Sequence, residues 1–497
     1  MWRPLKALLG GGIEVPESVE VIDLTLDSRT VRPGAAFLAC RGHERHGLAY
    51  AQQAAAAGAR AILWEPAPGV MPPRLDSQVL LVAVPELRQQ AGFIADRFFS
   101  APSARLAVAG ITGTNGKSTC AWLLADALSR CGKPTAYFGT LGHGQIGALD
   151  ESSLTTPDAV TLQRWLAAEL ATGARAVAME VSSHALDQHR CAGVRFHSAA
   201  LTNLTRDHLD YHGDMAAYAA AKASLFEWPT LSARVLNVDD AFGRELATRL
   251  RDTAGLWVTS SHADRELPAR ARFVRARSWR AEAPGVAIEI ESSAGVAVLR
   301  APLIGAFNVD NLLTVVALLL GLDVPLADAC AALASCAAPP GRMQTLGGAG
   351  LPLVVLDYAH TPDALQQALT AVRAHVGGKL WCVFGCGGDR DAGKRPLMGR
   401  IAATLADHVC VTDDNPRGED PERITRDIVA GMPESFQPQV MHDRRAAIAA
   451  ALAGAGAGDV VLIAGKGHES YQEVAGQRTA FSDEAAVRAA LAVRGAR

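Results

Sequence analysis

The sequence predicts an α/β protein of three domains, and three observations carry the prediction. Short apolar runs of strand character alternate with alanine-rich helical stretches along most of the chain. A glycine-rich turn, Gly113-Thr114-Asn115-Gly116, joins an apolar strand to an apolar helix, as in a parallel sheet wound by helices. The length of 497 residues makes roughly three units at about 100 to 200 residues per domain.

Taken in order, strand-like runs at Val19–Leu24, Ala35–Ala39, Ala59–Trp64 and Val79–Val84, with a helical stretch at Tyr50–Ala57, make residues 1–101 a small α/β domain. Small residues and a proline at Phe99-Ser100-Ala101-Pro102-Ser103 break the pattern. Residues 102–338 form the central domain, with strands at Leu106–Ile111, Ala174–Val181, Ala199–Leu204 and Val235–Val238. A hairpin between about Pro268 and Leu303, read from the alternation in its two halves, decorates that domain. After Ala337-Ala338-Pro339-Pro340-Gly341, strands at Leu353–Leu356, Leu380–Phe384, His408–Thr412 and Val460–Ile463 make residues 339–497 a Rossmann-like domain.

Composition narrows the function. Lys and Arg total 48 against 51 Asp and Glu, a net charge of −3, so no basic field attracts nucleic acid or an anionic membrane, and small molecules are the expected partners. Nine scattered cysteines without a C-x-x-C pair exclude a disulfide framework and fit a reducing cytoplasm. The first residues reach Gly10-Gly11-Gly12 before a signal-like apolar region forms. Leu312–Leu322 falls short of the about 20 residues that span a bilayer, so it is expected to be a buried helix.

The strongest local signal is Gly113-Thr114-Asn115-Gly116-Lys117-Ser118-Thr119. Backbone N–H groups after the strand and the N-terminus of the next helix cradle phosphate oxygens, Lys117 reaches the β- and γ-phosphates, and Ser118 supplies a hydroxyl to Mg²⁺. The strict spacing would put glycine at 111, where Ile111 stands. Glu180 and His208 end or follow later strands, and in a wound sheet they reach the same edge as this loop. On spacing alone, Lys222 reads as a surface lysine with its stem laid along the protein. Burial would instead favour a neutral amine, able to act as a base, a Schiff-base nucleophile or a CO₂ acceptor. In the last domain four polar loops follow strands: Asp357 to Asp363, Gly385 to Asp391, Asp413 to Arg417 and Gly465 to Glu469. Arg390 and Arg417 can grip carboxylates while Glu469 pairs with an ammonium, which suits an amino acid.

These motifs occur in one order: Gly113-Thr-Asn-Gly-Lys-Ser, Thr155-Thr-Pro, Glu180-Val-Ser-Ser-His, Leu201-Thr-Asn-Leu-Thr-Arg-Asp-His-Leu-Asp-Tyr-His, Asn308, Pro340-Gly-Arg342, Asp357-Tyr-Ala-His and Asp414-Asn-Pro-Arg417. The set closely resembles the Mur ligases from about Asp27 to Asp483. The resemblance implies a UDP-substrate domain, a central P-loop-type ATPase domain and a C-terminal amino-acid domain, with ATP as co-substrate, Mg²⁺ as cofactor and an amide bond as product. It implies that Gly113 to Thr119, Asn308, Arg342, Asp357 and His360 serve ATP, and that Lys117, Glu180, His208 and Lys222 are catalytic. Ser118, Glu180, His208 and Lys222, the last as a carbamate, would serve Mg²⁺. Leu26, Ser28, His43, Thr155, Thr156, Ser182, Gln188 and Arg190 match contacts to a UDP-muramoyl-dipeptide, and Arg390, Asp414, Asn415, Pro416, Arg417, Gly465 and Glu469 match a diaminopimelate site. The Asp-Asn-Pro-Arg form resembles the diaminopimelate-adding type, with a lysine-adding type as the alternative within the family. Closure of the C-terminal domain over the central one and a monomeric state are further expectations. His46-Gly47 stands where the family commonly has Asp-Gly, and Leu154 where it has asparagine. Two other readings share the nucleotide loop. A folylpolyglutamate synthetase lacks the first domain, and a P-loop switch normally carries a guanine-reading Asn-Lys-x-Asp, which this sequence does not.

Overall fold

The computed structural model describes residues 2–42, 45–75, 78–282 and 285–495, and the chain divides into two compact units. The first comprises Met1–Val258, Leu267–Arg272 and Ala317–Val324, and the second Thr259–Glu266, Phe273–Val316 and Pro325–Arg497. Among the described residues no helix is long and apolar enough to cross a membrane.

The first unit opens with a four-stranded parallel sheet in chain order: Leu24–Thr25, Ala36–Ala39, Ala61–Trp64 and Leu80–Ala83. The expected strand at Val19–Leu24 is two short pieces. Glu20–Val21 pairs with Arg3–Pro4, and the chain turns at Ile22-Asp23 before Leu24 enters the sheet. Next comes a larger sheet whose parallel core runs Thr135–Gly139, Ala176–Glu180, Ala107–Thr112, Phe196–Leu201, Ala233–Asn237. Ala107–Thr112, buried on both faces, reads in sequence as an apolar run. The helix Lys117–Arg130 follows it and buries Cys120, Leu123, Leu124, Ala127 and Leu128, repeating every three or four residues against the sheet.

Three antiparallel strands, Arg272–Glu282, Gly285–Ser292 and Gly295–Ala301, replace the expected two-stranded hairpin and, from Phe273 on, belong to the second unit. The added strand has arginines at 272, 275, 277 and 280, so its strand pattern is weak in sequence. Phe307–Gly321 is the expected helix, with Leu312, Leu313, Val316 and Leu319 wholly buried. The last sheet runs Gln344–Gly347, Leu353–Asp357, Val460–Ala464, Leu380–Phe384, His408–Thr412, Gln439–Met441, parallel except for its first strand. Alternate residues pack on opposite faces. Val355, Cys382, Phe384, Val411 and Leu462 join one core, and Val354, Leu356, Val383, Cys410 and Val461 join the other. This doubly wound sheet aligns the carboxyl ends of four strands, where the polar loops emerge.

Candidate active site

The phosphate loop follows the strand Ala107–Thr112. Gly113 and Gly116 hold φ of 147° and 85°, conformations that favour glycine, and Gly116 caps the helix that begins at Lys117. A neighbouring segment fixes the loop. Asn203 accepts from the N–H of Thr114 through its carbonyl (2.9 Å) and from that of Asn115 through its side chain (3.0 Å), while the Thr202 hydroxyl donates to the Asn115 carbonyl (2.6 Å). Lys117 folds back, its Nζ donating to the carbonyls of Gly113 (2.9 Å) and Thr114 (2.8 Å).

Lys222 overturns the reading from spacing. It lies on the helix Met215–Ala223, is 1% exposed, and donates to the same Gly113 carbonyl at 2.8 Å, with the Tyr218 ring 4.6 Å from its Nζ. Burial, reinforced by the charge of Lys117, pushes its pKa down to about 6 despite an opposing pull from Asp207. At neutral pH its amine is therefore largely unprotonated.

Glu180 ends its strand level with Ile111 of the loop strand and is buried. Its Oε1 accepts from the Tyr137 hydroxyl (2.5 Å) and the Thr140 N–H (2.9 Å), and its Oε2 meets the Thr140 hydroxyl only at 3.4 Å. A side chain on Gly139 would collide with both Oε1 and the Tyr137 hydroxyl. Oε2 and the Ser118 hydroxyl are hard oxygen donors, of the kind Mg²⁺ takes. Among the described residues no three His, Cys, Asp or Glu side chains converge as a complete metal cage. His208 has a left-handed φ of 53°, its imidazole 3.5 Å from Asp207, and His184 lies 4.9 Å away, ring to ring. Burial and the neighbouring histidines hold the His184 pKa low.

A cleft of about 740 Å³ in the first unit is lined by Leu26, Ser28, Arg41, Tyr50, Gln188 and Arg190, among others. Ser28 bonds Gln53 (3.2 Å), and Arg190 clasps the Gln188 side chain (2.6 Å) and the Thr156 carbonyl (2.9 Å). The Thr156 hydroxyl donates to the Glu180 carbonyl (2.9 Å), Thr155 meets Thr140 (3.0 Å), and Ser182 caps the helix Ser183–Asp187. His43 lies outside the described residues. His46 caps a short 3₁₀ turn, accepting from the Leu48 N–H (3.0 Å), with its Nε2 2.8 Å from the Glu65 carbonyl.

Asn308, Arg342, Asp357 and His360 belong to the second unit. Asn308 is buried and donates to the Ile304 carbonyl (2.7 Å). Asp357 accepts from the N–H groups of Met343 and Ala359 (both 2.9 Å), and burial raises its pKa against the pull of Arg342. Arg342 stacks 4.8 Å over Tyr358, and His360 bonds the Tyr358 carbonyl (2.8 Å). The loops after His408–Thr412 and Val460–Ala464 meet. Lys466, wholly buried and absent from the residues singled out in sequence, contacts Asp414 (3.4 Å), Asn415 (2.9 Å) and Glu469 (3.2 Å). Asn415 donates to Glu469 Oε2 (2.9 Å). Arg417, at φ 53°, donates to the Gly388 carbonyl (2.9 Å), where a side chain on Gly388 would strike the Pro416 carbonyl. Gly465 holds φ 116° beside Asp414, while Arg390 is exposed. Tyr137, Tyr218 and Lys466 carry no local motif, because each also depends on a partner distant in sequence: Glu180, Thr114 and Asn415 respectively.

Three family models cover most of the chain: the Mur ligase family catalytic domain at 21–99, the Mur ligase middle domain at 111–319 and the Mur ligase glutamate ligase domain at 341–467. The chain belongs to the Mur ligase family. Among Mur ligases it is 50% identical, over 99% of both chains, to a protein of Ectopseudomonas mendocina named UDP-N-acetylmuramoyl-L-alanyl-D-glutamate–2,6-diaminopimelate ligase. It is 49% identical, over 95% of both, to a protein of the same name from Pseudomonas aeruginosa. A solved structure titled as that ligase superposes with a TM-score of 0.75 at 35% identity, covering all of both chains. As a Mur ligase the protein is an ATP-dependent ligase, with the α/β architecture expected from its sequence.

Proposed function

We propose that this Mur ligase adds 2,6-diaminopimelate to the D-glutamate of UDP-N-acetylmuramoyl-L-alanyl-D-glutamate, using ATP, in peptidoglycan precursor synthesis. The observation that carries the choice of amino acid is that two loops at one sheet edge carry both the Arg417 guanidinium, bonded to the Gly388 carbonyl, and the Glu469 carboxylate, bonded by Asn415. A guanidinium answers the extra carboxylate that distinguishes diaminopimelate from lysine, and would be left unpaired by lysine. The names of relatives at about half identity agree.

In this reading residues 1–101 and the cleft lined by Leu26, Ser28, Gln188 and Arg190 receive the UDP-muramoyl-dipeptide, residues 102–338 receive the ATP phosphates, and residues 339–497 bring the amino acid. The γ-carboxylate of D-glutamate attacks the γ-phosphorus of ATP, giving an acyl phosphate and ADP. In this reading Lys117, held at the phosphate loop by the Gly113 carbonyl, meets the charge that develops on the transferred phosphoryl group. The free amine of the amino acid then attacks the acyl carbon, phosphate leaves, and a proton is lost from nitrogen to give the amide. Ser118, Glu180, His208 and the carbamate of Lys222 are the proposed holders of Mg²⁺, which when bound compensates charge on the phosphates. A neutral, buried Lys222 amine supports carbamate formation, in which nitrogen adds to CO₂ and releases a proton. Amide formation requires the amine to reach the acyl phosphate with water kept out.

The test is phosphate release with ATP, Mg²⁺ and the UDP-muramoyl-dipeptide, comparing meso-diaminopimelate, L-lysine and no amino acid. Release that requires diaminopimelate and yields a product of tripeptide mass is expected. A preference for lysine would sink the reading of Arg417, and release independent of any amino acid would remove the ligase assignment of these loops.

A further inference from the structure

Lys466 plays no part in the chemistry proposed above, yet three segments of the second unit converge on it. It sits between Gly465 and Gly467, both at positive φ, which turns its side chain inward from the end of the strand Val460–Ala464. Its ammonium has three protons and three acceptors within reach: Asn415 Oδ1, Glu469 Oε2 and Asp414 Oδ1. Asn415 Oδ1 also accepts from the Glu473 N–H (3.0 Å), on the hairpin Tyr471–Val474/Gln477–Ala480, so the amide has one orientation, with Nδ2 turned to Glu469. Glu469 Oε2 thus takes two donors, and both come from within the protein.

We infer that Lys466 is a positioning residue that selects for the second ammonium of the diamino acid, by occupying Oε2 of Glu469 and so presenting Oε1 as the acceptor for that group. The inference rests on the placement of diaminopimelate at these loops. An ammonium held by a carboxylate has no lone pair, so the amine that Glu469 binds is the one that does not react. Without Lys466, Glu469 and Asn415 lose the cation that fixes them, and an arrangement of two carboxylates and an amide has no unique geometry.

The experiment compares kcat/KM for diaminopimelate with that for 2-aminopimelate, which keeps both carboxylates and one amine. The wild type is expected to prefer diaminopimelate by about tenfold or more, the worth of a charge-assisted hydrogen bond. In Lys466→Met that preference is expected to fall to within about twofold, with KM for ATP and for the UDP-substrate changed less than about twofold. Lys466→Gln, which keeps one donor, is expected to behave in the same direction and covers the case in which the methionine variant does not fold. A loss of efficiency shared equally by both amino acids, with the preference retained, would reduce Lys466 to general support of the fold and overturn the inference. A wild type that releases phosphate with neither amino acid would instead overturn the placement of diaminopimelate itself.

Discussion

Lys222 and Lys466 are both withdrawn from water, at 1% and 0% exposed, and they meet opposite company. Beside the phosphate loop Lys222 and Lys117 donate to one carbonyl oxygen, and burial next to the charge of Lys117 leaves the Lys222 amine without its proton at neutral pH. At the end of the last sheet Lys466 meets Asp414 and Glu469, and the neighbouring Arg444 pairs with Asp483 through two 2.7 Å bonds. Two buried cations therefore face three carboxylates, a region short of one positive charge. The difference teaches that the task of a buried lysine is set by its counter-charges rather than by the motif around it.

Removing Lys222 is the hardest blow to that contrast. Lys222→Met is expected to lower phosphate release by about 10²- to 10³-fold, as loss of a group that supports charge compensation at the phosphates does, and a drop under about tenfold would break the reading of Lys222 as a neutral amine ready to form a carbamate. The same substitution has a second signature. The folded amine loses its proton near pH 6, the unfolded one near 10.5, so between those values the unfolded chain binds more protons and stability rises with pH. In CO₂-free buffer Lys222→Met is therefore expected to melt higher than the wild type. The gap should be full at and below pH 6 and should close as the pH climbs toward 10.5. Melts recorded at pH 6 and pH 9 check the sign.

Arg417→Lys sharpens the other side. It keeps the charge and removes the planar fork, and the preference for diaminopimelate over lysine is expected to fall by about 10- to 100-fold, read from kcat/KM for the two amino acids. The smallest effect is expected at a capping residue. His46→Ala takes away the cap of a 3₁₀ turn and is expected to cost about 1 kcal/mol, seen as a lower melting temperature, with kinetic constants within about twofold of the wild type. A large kinetic effect there would give His46 a role in the UDP-substrate cleft.

The fold was legible where strands are buried on both faces. Leu380–Phe384 and His408–Thr412 appear with the limits read from their apolar runs, since helices cover both sides of that sheet. Arg272–Glu282 was not legible as a strand, because four of its residues are arginines and only Val274 and Ala276 are buried, so it shows no apolar alternation. Gly142–Gln145 was equally hidden, having two glycines in four residues. At the site, the phosphate loop could be read because its chemistry is local. Lys222 could not, since its partner carbonyl is 109 residues away, and the bond that steadies Glu180 comes from Tyr137, 43 residues earlier. Lys466 stood within a loop already noticed, but its importance comes from acceptors on a second loop and from a hairpin that fastens one of them.

That fastening bears on how the pocket can be re-engineered. Residues 413–417, 465–469 and 471–480 share one ammonium, so they constitute a single cassette despite their separation along the chain. A chimera that grafts only Asp414 to Arg417 onto a scaffold of different specificity would carry the guanidinium without the lysine that disciplines its neighbours. Exchange of all three segments together is the smallest transplant that conserves the wiring.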